Sequence, residues 1–191
     1  MLILASSSRY RRQLLERLHL AFEIAAPAVD EAPLPGETPQ ATAVRLAQTK
    51  AAAVARAFPD ALIIGSDQVA ELDGKRMDKP GSHARAVEQL RMLSGRTANF
   101  HTAVALLNSA TGTLRARLVP TRVRFRELKD ATIEAYLQRE QPYDCAGSAK
   151  SEGLGIALLH AIECDDPTAL VGLPLIALTD LLQAEGVEVI R

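Results

Sequence analysis

Short apolar segments alternate with helix-forming ones in the first third of the chain. Of all the features of the sequence, this alternation restricts the possible folds most. The run Leu2 to Ala5 predicts a strand, and Ser6-Ser7-Ser8 separates it from a helix with leucines on one face. Further strands are predicted near residues 22–26 and at Leu62-Ile63-Ile64, the latter of the buried type. Because helices and strands interleave, the sequence predicts an α/β fold.

Cap and turn residues give the approximate ends of the other helices. Thr38 followed by Pro39 pairs an N-cap with a first-turn proline and begins a helix that runs to about Phe58. Three further helices are predicted from Ser82 to Ser94-Gly95, from a capping Asp130 through Tyr136, and from near Pro174 onward.

The middle of the chain predicts two long strands that lie side by side. They cover about residues 99–107 and 114–128, and the turn at 109–112 joins them. Val123 and Phe125 alternate with arginines, as expected of a strand with one solvated face. Asp73-Gly74 predicts a tight hairpin before them. Antiparallel neighbours in an α/β chain predict a mixed sheet.

Length and charge exclude several classes of protein. The 191 residues fit a single domain, 1–191, or one domain with two lobes. Lys and Arg number 22 and Asp and Glu 23, so net charge gives no attraction to nucleic acid or an acidic membrane surface. Two cysteines form no disulfide framework, and the apolar N-terminus lacks a basic leader. We therefore expect a cytoplasmic protein without nucleic-acid or membrane partners.

The segment Ser6 to Arg12 is the first candidate site. It joins a strand to a helix N-terminus, where unpaired N–H groups and the helix dipole favour an anion. Serine hydroxyls and arginine guanidinium groups add donors for phosphate. The alternative is a serine N-cap before a surface helix. The sequence contains neither GxxxxGK[ST] nor GxGxxG, which disfavours the usual ATPase and dinucleotide sites.

Carboxylates in two segments of the chain form the second candidate site. Asp30-Glu31 lies in a proline-bounded loop, where it either faces water or binds a hard divalent cation. Asp67 follows Leu62-Ile63-Ile64 and is predicted at the C-terminal end of a buried strand, where α/β proteins bind ligands. There it either polarises water or holds the metal ion that does so, or it bonds to nearby backbone as a turn residue.

Lysines complete the candidate set. Lys50, Lys79 and Lys150 are by default solvated surface residues. Together with the serine–arginine segment and the carboxylates, they describe a site for a polyphosphate and a divalent cation. That chemistry is phosphoanhydride hydrolysis, provided that folding brings these groups together.

Eight short segments, spread from residue 4 to residue 175, match one known family in order. They are LASSSRYRRQLL (4–15), Val29-Asp30-Glu31, RLAQTKA (45–51), IIGSDQV (63–69), Lys79-Pro80, LSGR (93–96), CAGSAKSEGLGI (145–156) and LVGLPL (170–175). On these segments the chain resembles the Maf family of nucleotide pyrophosphatases. Tyr10, Gln68 and the SAKSEG segment resemble its YceF-like subgroup, known for hydrolysing 7-methyl-GTP, whereas the other main bacterial branch prefers dTTP and UTP.

The resemblance implies a fold, a reaction and a set of residues. The fold is a Maf/ITPase-like elongated mixed sheet, flanked by helices, with a central cleft. The reaction is divalent-metal-dependent hydrolysis (Mg²⁺, Mn²⁺ or Co²⁺) between the α and β phosphates, which releases a nucleoside monophosphate and pyrophosphate. By position, Asp67 matches the proton acceptor, Glu31 and Lys79 match residues needed for activity, and Ser6, Arg11 and Lys50 match substrate-binding positions. The resemblance also implies Glu31 and Asp67 as metal ligands.

Three more positions match residues linked to base preference, namely Tyr10, Gln68 and Glu152. An N7-methylated guanine is cationic, so an aromatic face and a carboxylate both favour it over plain guanine. The alternatives are a packing role for Tyr10 and a solvated loop position for Glu152. Arg9 stands where the family usually has proline, and Asp78 precedes Lys79 where a small residue is more usual. The roles of Arg9, Asp78 and Cys145 stay open, as does a homodimer.

Two other functions are set against the hydrolase. Maf relatives were first connected with inhibition of septum formation, so a nucleotide-binding regulator without turnover is one. A pure binder, however, gains nothing from Asp67 and Glu31, because negative charge weakens affinity for phosphate. An RNA-binding module built on the arginines of residues 115–126 is disfavoured, since they alternate as on a solvated sheet face.

Overall fold

Strands and helices alternate around one mixed sheet in a computed structural model that describes residues 1–190. Its strands are β1 (Leu2–Ala5), β2 (Glu23–Ile24), β3 (Leu62–Leu72), β4 (Lys75–Met77), β5 (Thr97–Asn108), β6 (Thr113–Phe125) and β7 (Leu159–Glu163). Its α-helices are α1 (Arg9–Glu16), α2 (Pro39–Ala55), α3 (His83–Leu93), α4 (Asp130–Glu140) and α5 (Leu175–Ala184). The strand order is β2-β1-β3-β5-β6-β7, with β4 paired to β3. The predicted α/β fold with a mixed sheet is confirmed.

The strand β1 runs parallel to both of its neighbours, β2 and β3. All four of its residues are buried, because successive side chains point to opposite faces and helices cover both faces. Leu2 and Leu4 pack with the leucines of α1 and α5. Ile3 and Ala5 pack with Ala51 of α2 and its neighbours. Burial on both faces explains why this strand is a continuous apolar run rather than an alternating one.

The chain divides into two compact units. The first contains residues 1–68, 101–119 and the chain from Asp166 onward, and the second contains residues 69–100 and 120–165. In the second unit α3 packs against α4. Leu90 and Leu93 of α3 and Ile133 and Leu137 of α4 are fully buried. That residues 1–191 act as one domain stays a prediction.

The local signals for caps and turns correspond closely to the observed elements. Ser8, Thr38 and Ser82 each cap a helix through a side-chain oxygen, as expected for Thr38 and Ser82. Asp73 and Gly74 form a two-residue hairpin with φ values of 51° and 76°, the conformation that asparagine, aspartate and glycine tolerate best. Thr121, Val123 and Phe125 are buried while the arginines between them are exposed, so the period of two is confirmed.

Two local expectations are wrong, and one strand was not predicted. β3 continues to Leu72, so Asp67 lies inside this strand and not at its end. β1 ends at Ala5, opposite Gly65, whereas β3 runs on and pairs with β4 at residues 70–72. Asp130 is the first residue of α4 and Lys129 is the N-cap; the Asp130 carboxylate pairs with Arg91 at 2.8 Å instead. β7 was not predicted, since it is held by antiparallel pairing with β6 rather than by a local pattern.

Cys145 and Cys164 are both half-buried, and neither is in a disulfide. Over residues 1–190, none of the helices combines the length and the hydropathy that crossing a bilayer requires.

Candidate active site

The parallel pairing of β1 with β3 ends at Ala5 and Gly65, and the candidate residues of the first unit lie just beyond it. Ser6 follows Ala5, while Ser66 and Asp67 follow Gly65. All three are buried, with 4%, 0% and 6% of their surface exposed. Because parallel strands leave their common register in the same direction, the serine turn and Asp67 emerge at the same place. This juxtaposition depends on strand register and not on the end of β3.

Close packing of α2 on β3 brings Lys50 to Asp67. A Cβ added at Gly65 would lie 2.8 Å from the backbone nitrogen of Ala51 and still closer to the carbonyl oxygen of Ala47. Only glycine therefore permits this helix–strand distance. Lys50 is 4% exposed, and its Nζ lies 2.6 Å from Asp67 Oδ1.

The same ammonium group also pairs with Glu31. Lys50 Nζ lies 2.8 Å from Glu31 Oε1, although the Glu31 side chain is 57% exposed. One lysine thus joins a buried carboxylate and a largely exposed one. The two acidic segments that the sequence proposed separately, 30–31 and 65–68, meet at this point.

Arg45 positions the Glu31 loop and was missed from the sequence. Its Nε and Nη2 donate to the two carboxylate oxygens of Glu37 at 2.6 and 2.8 Å, and Nη2 also donates to the carbonyl of Ala32 at 3.0 Å. Glu37 in turn accepts from the backbone N–H of Leu34. The only available signal was the presence of Arg45 in the RLAQTKA segment, five residues before Lys50.

The Arg45 bonds also change the acidity of Glu37. Hydrogen bonding to Arg45, followed by the Leu34 N–H, lowers the pKa of Glu37 to about 2. The carboxylate therefore stays ionised, and the loop that carries Glu31 stays attached to α2, well into the acid range.

Arg11 of α1 lies near enough to Asp67 and Glu31 to feel the charge of both. Its Nε donates to the carbonyl of Gly172 at 2.8 Å, and Ser66 Oγ lies 2.9 Å from the same oxygen. Burial lowers the pKa of Arg11, while the charges of Asp67 and Glu31 oppose that shift. Arginine nevertheless remains cationic at neutral pH. Arg11, Lys50, Glu31 and Asp67 therefore belong to one constellation, and Ser6 follows the end of β1 that pairs with Gly65.

The serines have a capping role that the sequence offered as the alternative to phosphate binding. Ser8 Oγ accepts from Arg11 N, and Ser6 Oγ accepts from Ser8 N at 3.1 Å. These bonds shape the entry to α1. A phosphate contact of Ser6 stays a prediction.

Two residues expected to select the base have structural partners. Tyr10 carries the guanidinium of Arg9 over its ring, 4.8 Å from the centroid, and its hydroxyl accepts from Arg9 Nη2. Gln68 Nε2 lies 2.9 Å from Thr102 Oγ1 and 3.0 Å from the carbonyl oxygens of Ala169 and Leu170. The face of Tyr10 thus accepts a cation, and Gln68 holds the 169–170 turn. Their roles toward a base stay predictions.

Lys79 and Glu152 lie in the second unit, and both are exposed. Asp78, beside Lys79, pairs with Arg76 Nε at 2.6 Å. Cys145 lies at the start of the glycine-containing segment that leads to Glu152, and its Sγ lies 3.6 Å from Asp144 Oδ1.

A second residue missed from the sequence, Glu140 of α4, clasps the turn that carries Glu152. One of its oxygens pairs with Lys150 Nζ at 2.7 Å, and the other accepts from Leu154 N at 2.7 Å. Tyr136 Oη accepts from Lys150 N at 3.0 Å. Hydrogen bonding to Lys150 lowers the pKa of Glu140, and burial raises the pKa of Tyr136. Lys150, which the sequence suggested as a phosphate ligand, therefore holds this turn against α4.

The donor set is suited to a divalent cation held jointly with phosphate. Over residues 1–190, no group of three or more His, Cys, Asp or Glu side chains is arranged to hold a metal ion. Glu31 and Asp67 nevertheless bring carboxylate oxygens to one point, marked by Lys50 Nζ. Mg²⁺ in phosphate-handling sites typically takes one or two carboxylates, the remaining ligands being water and substrate oxygens. The two carboxylates fit that mode.

An α/β fold in which cationic side chains and two carboxylates gather where parallel strands separate is typical of enzymes that bind phosphate groups. A family model described as Maf-like protein matches residues 1–185, and the chain belongs to the Maf family.

Several curated relatives are similar over nearly the whole chain. A 7-methyl-GTP pyrophosphatase of Cupriavidus pinatubonensis is 64% identical over 185 residues, which is 97% of this chain and 93% of the relative. A protein of the same name from Thiobacillus denitrificans is 61% identical over 99% of this chain and 94% of its own. Another from Nitrosospira multiformis is 58% identical over 99% and 96%. The resemblance stated from the sequence segments is confirmed.

Proposed function

We propose that this protein is a nucleoside triphosphate pyrophosphatase that hydrolyses the α–β phosphoanhydride of 7-methyl-GTP. The products are 7-methyl-GMP and pyrophosphate, so the enzyme removes a modified nucleotide before it reaches nucleic acid synthesis. The relatives at 58–64% identity that carry this name support the substrate.

The observation that carries the proposal is the buried Lys50 ammonium between Asp67 and Glu31, with Arg11 nearby. A site built only to bind a triphosphate needs cations and is weakened by carboxylates. This site keeps two carboxylates and orients both. Such an arrangement suits hydrolysis, where a base and a cation act on the same phosphate group, and disfavours a regulator that only binds nucleotide.

Asp67 is the proposed general base. One water oxygen attacks phosphorus and forms the new P–O bond, its proton passes to an Asp67 oxygen, and the bridging α–β oxygen leaves with pyrophosphate. Lys50 orients the Asp67 carboxylate through the 2.6 Å ion pair. Arg11, Lys50 and Lys79 offset negative charge on the phosphates, and Ser6 donates to a phosphate oxygen.

Glu31 and Asp67 would hold a divalent cation, Mg²⁺, Mn²⁺ or Co²⁺. When bound, the cation neutralises phosphate charge and favours ionisation of the attacking water. Arg45 and Glu37 contribute by keeping the Glu31 loop against α2.

Base selection is assigned to Tyr10, Gln68 and Glu152. The Tyr10 ring attracts a cation, as its contact with the Arg9 guanidinium shows, and 7-methylguanine is also cationic. Glu152 accepts from the guanine N1–H and amino group, and its charge favours the methylated base. We further propose that the protein acts in the cytoplasm without nucleic-acid or membrane partners, and that a homodimer is compatible with this activity.

The decisive experiment is a panel of nucleoside triphosphates, including 7-methyl-GTP, GTP, dTTP and UTP, with pyrophosphate and orthophosphate detected separately. We expect pyrophosphate as the inorganic product and 7-methyl-GTP as the preferred substrate. Preference for dTTP or UTP would overturn the base assignment, orthophosphate release would overturn the bond assignment, and binding without turnover would favour a regulator.

A further inference from the structure

A buried glutamine in the second unit connects two segments that the proposed function uses. Gln89 lies on α3, and only 8% of its surface is exposed. Its Nε2 donates to the carbonyl of Asp78 at 2.8 Å, and its Oε1 accepts from Ser148 Oγ at 2.6 Å. Both ends of one side chain are therefore occupied, each by a different segment of the chain.

The segment at the first end carries Lys79. The carbonyl that Gln89 holds is that of Asp78, whose carbon forms the peptide bond to Lys79. Two residues further on, Gly81 N donates to the carbonyl of Tyr143 at 3.0 Å. The backbone on both sides of Lys79 is thus fastened within the second unit, although the Lys79 side chain is exposed.

The segment at the second end leads to Glu152. Ser148 is fully buried and has φ +56°, directly after Gly147 at φ +71°. A left-handed conformation is unfavourable for a non-glycine residue, so glycine would be favoured at this position on backbone grounds alone. The serine hydroxyl compensates through its bond to Gln89. Four residues later the chain reaches Glu152, in the turn that Glu140 clasps.

We infer that Gln89 is a positioning residue, which fixes the Lys79 backbone relative to the Ser148–Glu152 turn and so aligns phosphate and base contacts on one nucleotide. This inference rests on the proposed function. Gln89 itself contacts no substrate, and it acts through the two segments that it joins. Losing it shifts Lys79 rather than removing a charge.

The main test combines Gln89→Met with Lys79→Ala. Methionine keeps the length and apolar stem of the glutamine but has neither the amide donor nor its acceptor. Because a displacement of about 1 Å can lower a rate up to about a hundredfold, we expect Gln89→Met to lower kcat for 7-methyl-GTP about ten- to hundredfold. In a protein that already carries Lys79→Ala, the same change should lower kcat less than twofold.

The non-additivity separates positioning from general destabilisation. An effect of Gln89→Met on kcat that is equally large with Lys79 present and absent would overturn the inference, as would an unchanged kcat. Gln138→Met on the exposed side of α4 is the matched control and should leave kcat unchanged. Thermal midpoints of all variants show whether the fold persists.

Ser148→Ala keeps the test decisive if Gln89→Met does not fold. It removes the hydrogen bond from Ser148 to Gln89 and leaves the bond from Gln89 to the Asp78 carbonyl in place. We expect a several-fold lower kcat and a smaller preference for 7-methyl-GTP over GTP; unchanged values for both would overturn the inference. No pyrophosphate release by the unmodified protein would overturn the proposed function as well, whereas an active protein indifferent to these changes overturns only the role of Gln89.

Discussion

At the residue scale, the chemistry of the first unit centres on Lys50. Its ammonium group is within 2.8 Å of carboxylate oxygens from two different segments. A lysine at this position both compensates the buried charge of Asp67 and orients it. An uncompensated buried carboxylate would be costly, so the ion pair also contributes to stability.

The first prediction at this scale concerns Asp67. Asp67→Asn keeps the size of the side chain but removes the proton acceptor, so pyrophosphate release should fall at least about a hundredfold. Nucleotide binding, measured by calorimetry, should persist because the cationic groups remain. Asp60→Asn, at an exposed position, is the control. Near-normal turnover of the Asp67 variant would remove this residue from the mechanism.

The second residue-scale prediction concerns Glu152. Glu152→Gln removes a negative charge while keeping the hydrogen-bonding shape, so kcat/KM for 7-methyl-GTP should fall more than kcat/KM for GTP. The ratio of the two values is the measurement. Glu88→Gln on the exposed side of α3 should leave that ratio unchanged. Equal losses on both substrates would contradict a role of Glu152 in reading the base.

At the element scale, α2 does more than fill one face of the sheet. It presents Lys50 to Asp67 near its C-terminal end, and one to two turns earlier it presents Arg45 to Glu37. Lys50 also pairs with Glu31, so both side chains connect the helix to the Glu31 loop. The position of α2, which Gly65 allows, therefore sets the position of that loop.

This arrangement predicts a pH dependence of stability. Glu37 titrates near 4.5 in an unfolded chain and at about 2 in the folded protein, because Arg45 and the Leu34 N–H bind its ionised form. Its contribution to the free energy of unfolding is therefore complete above pH 4.5 and is lost as the pH falls toward 2.

Urea unfolding across this pH range tests the dependence. Glu37→Gln should be less stable than the native protein at pH 7, and the difference should shrink between pH 4.5 and 2. Arg45→Met should show the same convergence, because it removes the main cause of the shift. A difference that stays constant from pH 7 to 2 would refute the assignment.

At the scale of the whole molecule, the two units carry different parts of the proposed chemistry. The first holds Glu31, Lys50 and Asp67, and the second holds Lys79 and Glu152. Each unit has its own buried core, built on β1, α1, α2 and α5 in the first and on α3 and α4 in the second. Both cores consist of apolar side chains, so folding of each unit relies on apolar packing.

Metal removal is therefore expected to affect activity and not the fold. EDTA should abolish pyrophosphate release, and added Mg²⁺, Mn²⁺ or Co²⁺ should restore it. The thermal midpoint without nucleotide should stay unchanged in EDTA, since two carboxylates and a lysine form a stable group without the cation. Full activity in EDTA would contradict a cation-assisted reaction, and a large fall in the midpoint would indicate a structural metal.

Helix starts, tight turns and buried strands can be predicted from the sequence because they depend on residues close together along the chain. Thr38-Pro39, Ser82 and Asp73-Gly74 dictate helix starts and a hairpin through their own backbone preferences, and the buried runs of β1 and β3 follow from composition alone. Eight short segments in the family's order, those around Asp67, Lys50 and Glu31 among them, indicated the family.

Tertiary structure alone decided how these segments meet. Arg45 with Glu37, Glu140 with Lys150, and Gln89 between Asp78 and Ser148 all act across 8 to 59 residues of chain, beyond the reach of any local pattern. Asp67 differs from its predicted place for the same reason, because a strand ends where its partners stop pairing. The sequence determines which side chains are present, whereas the register of the strands and the distances between packed elements are set only when the chain folds.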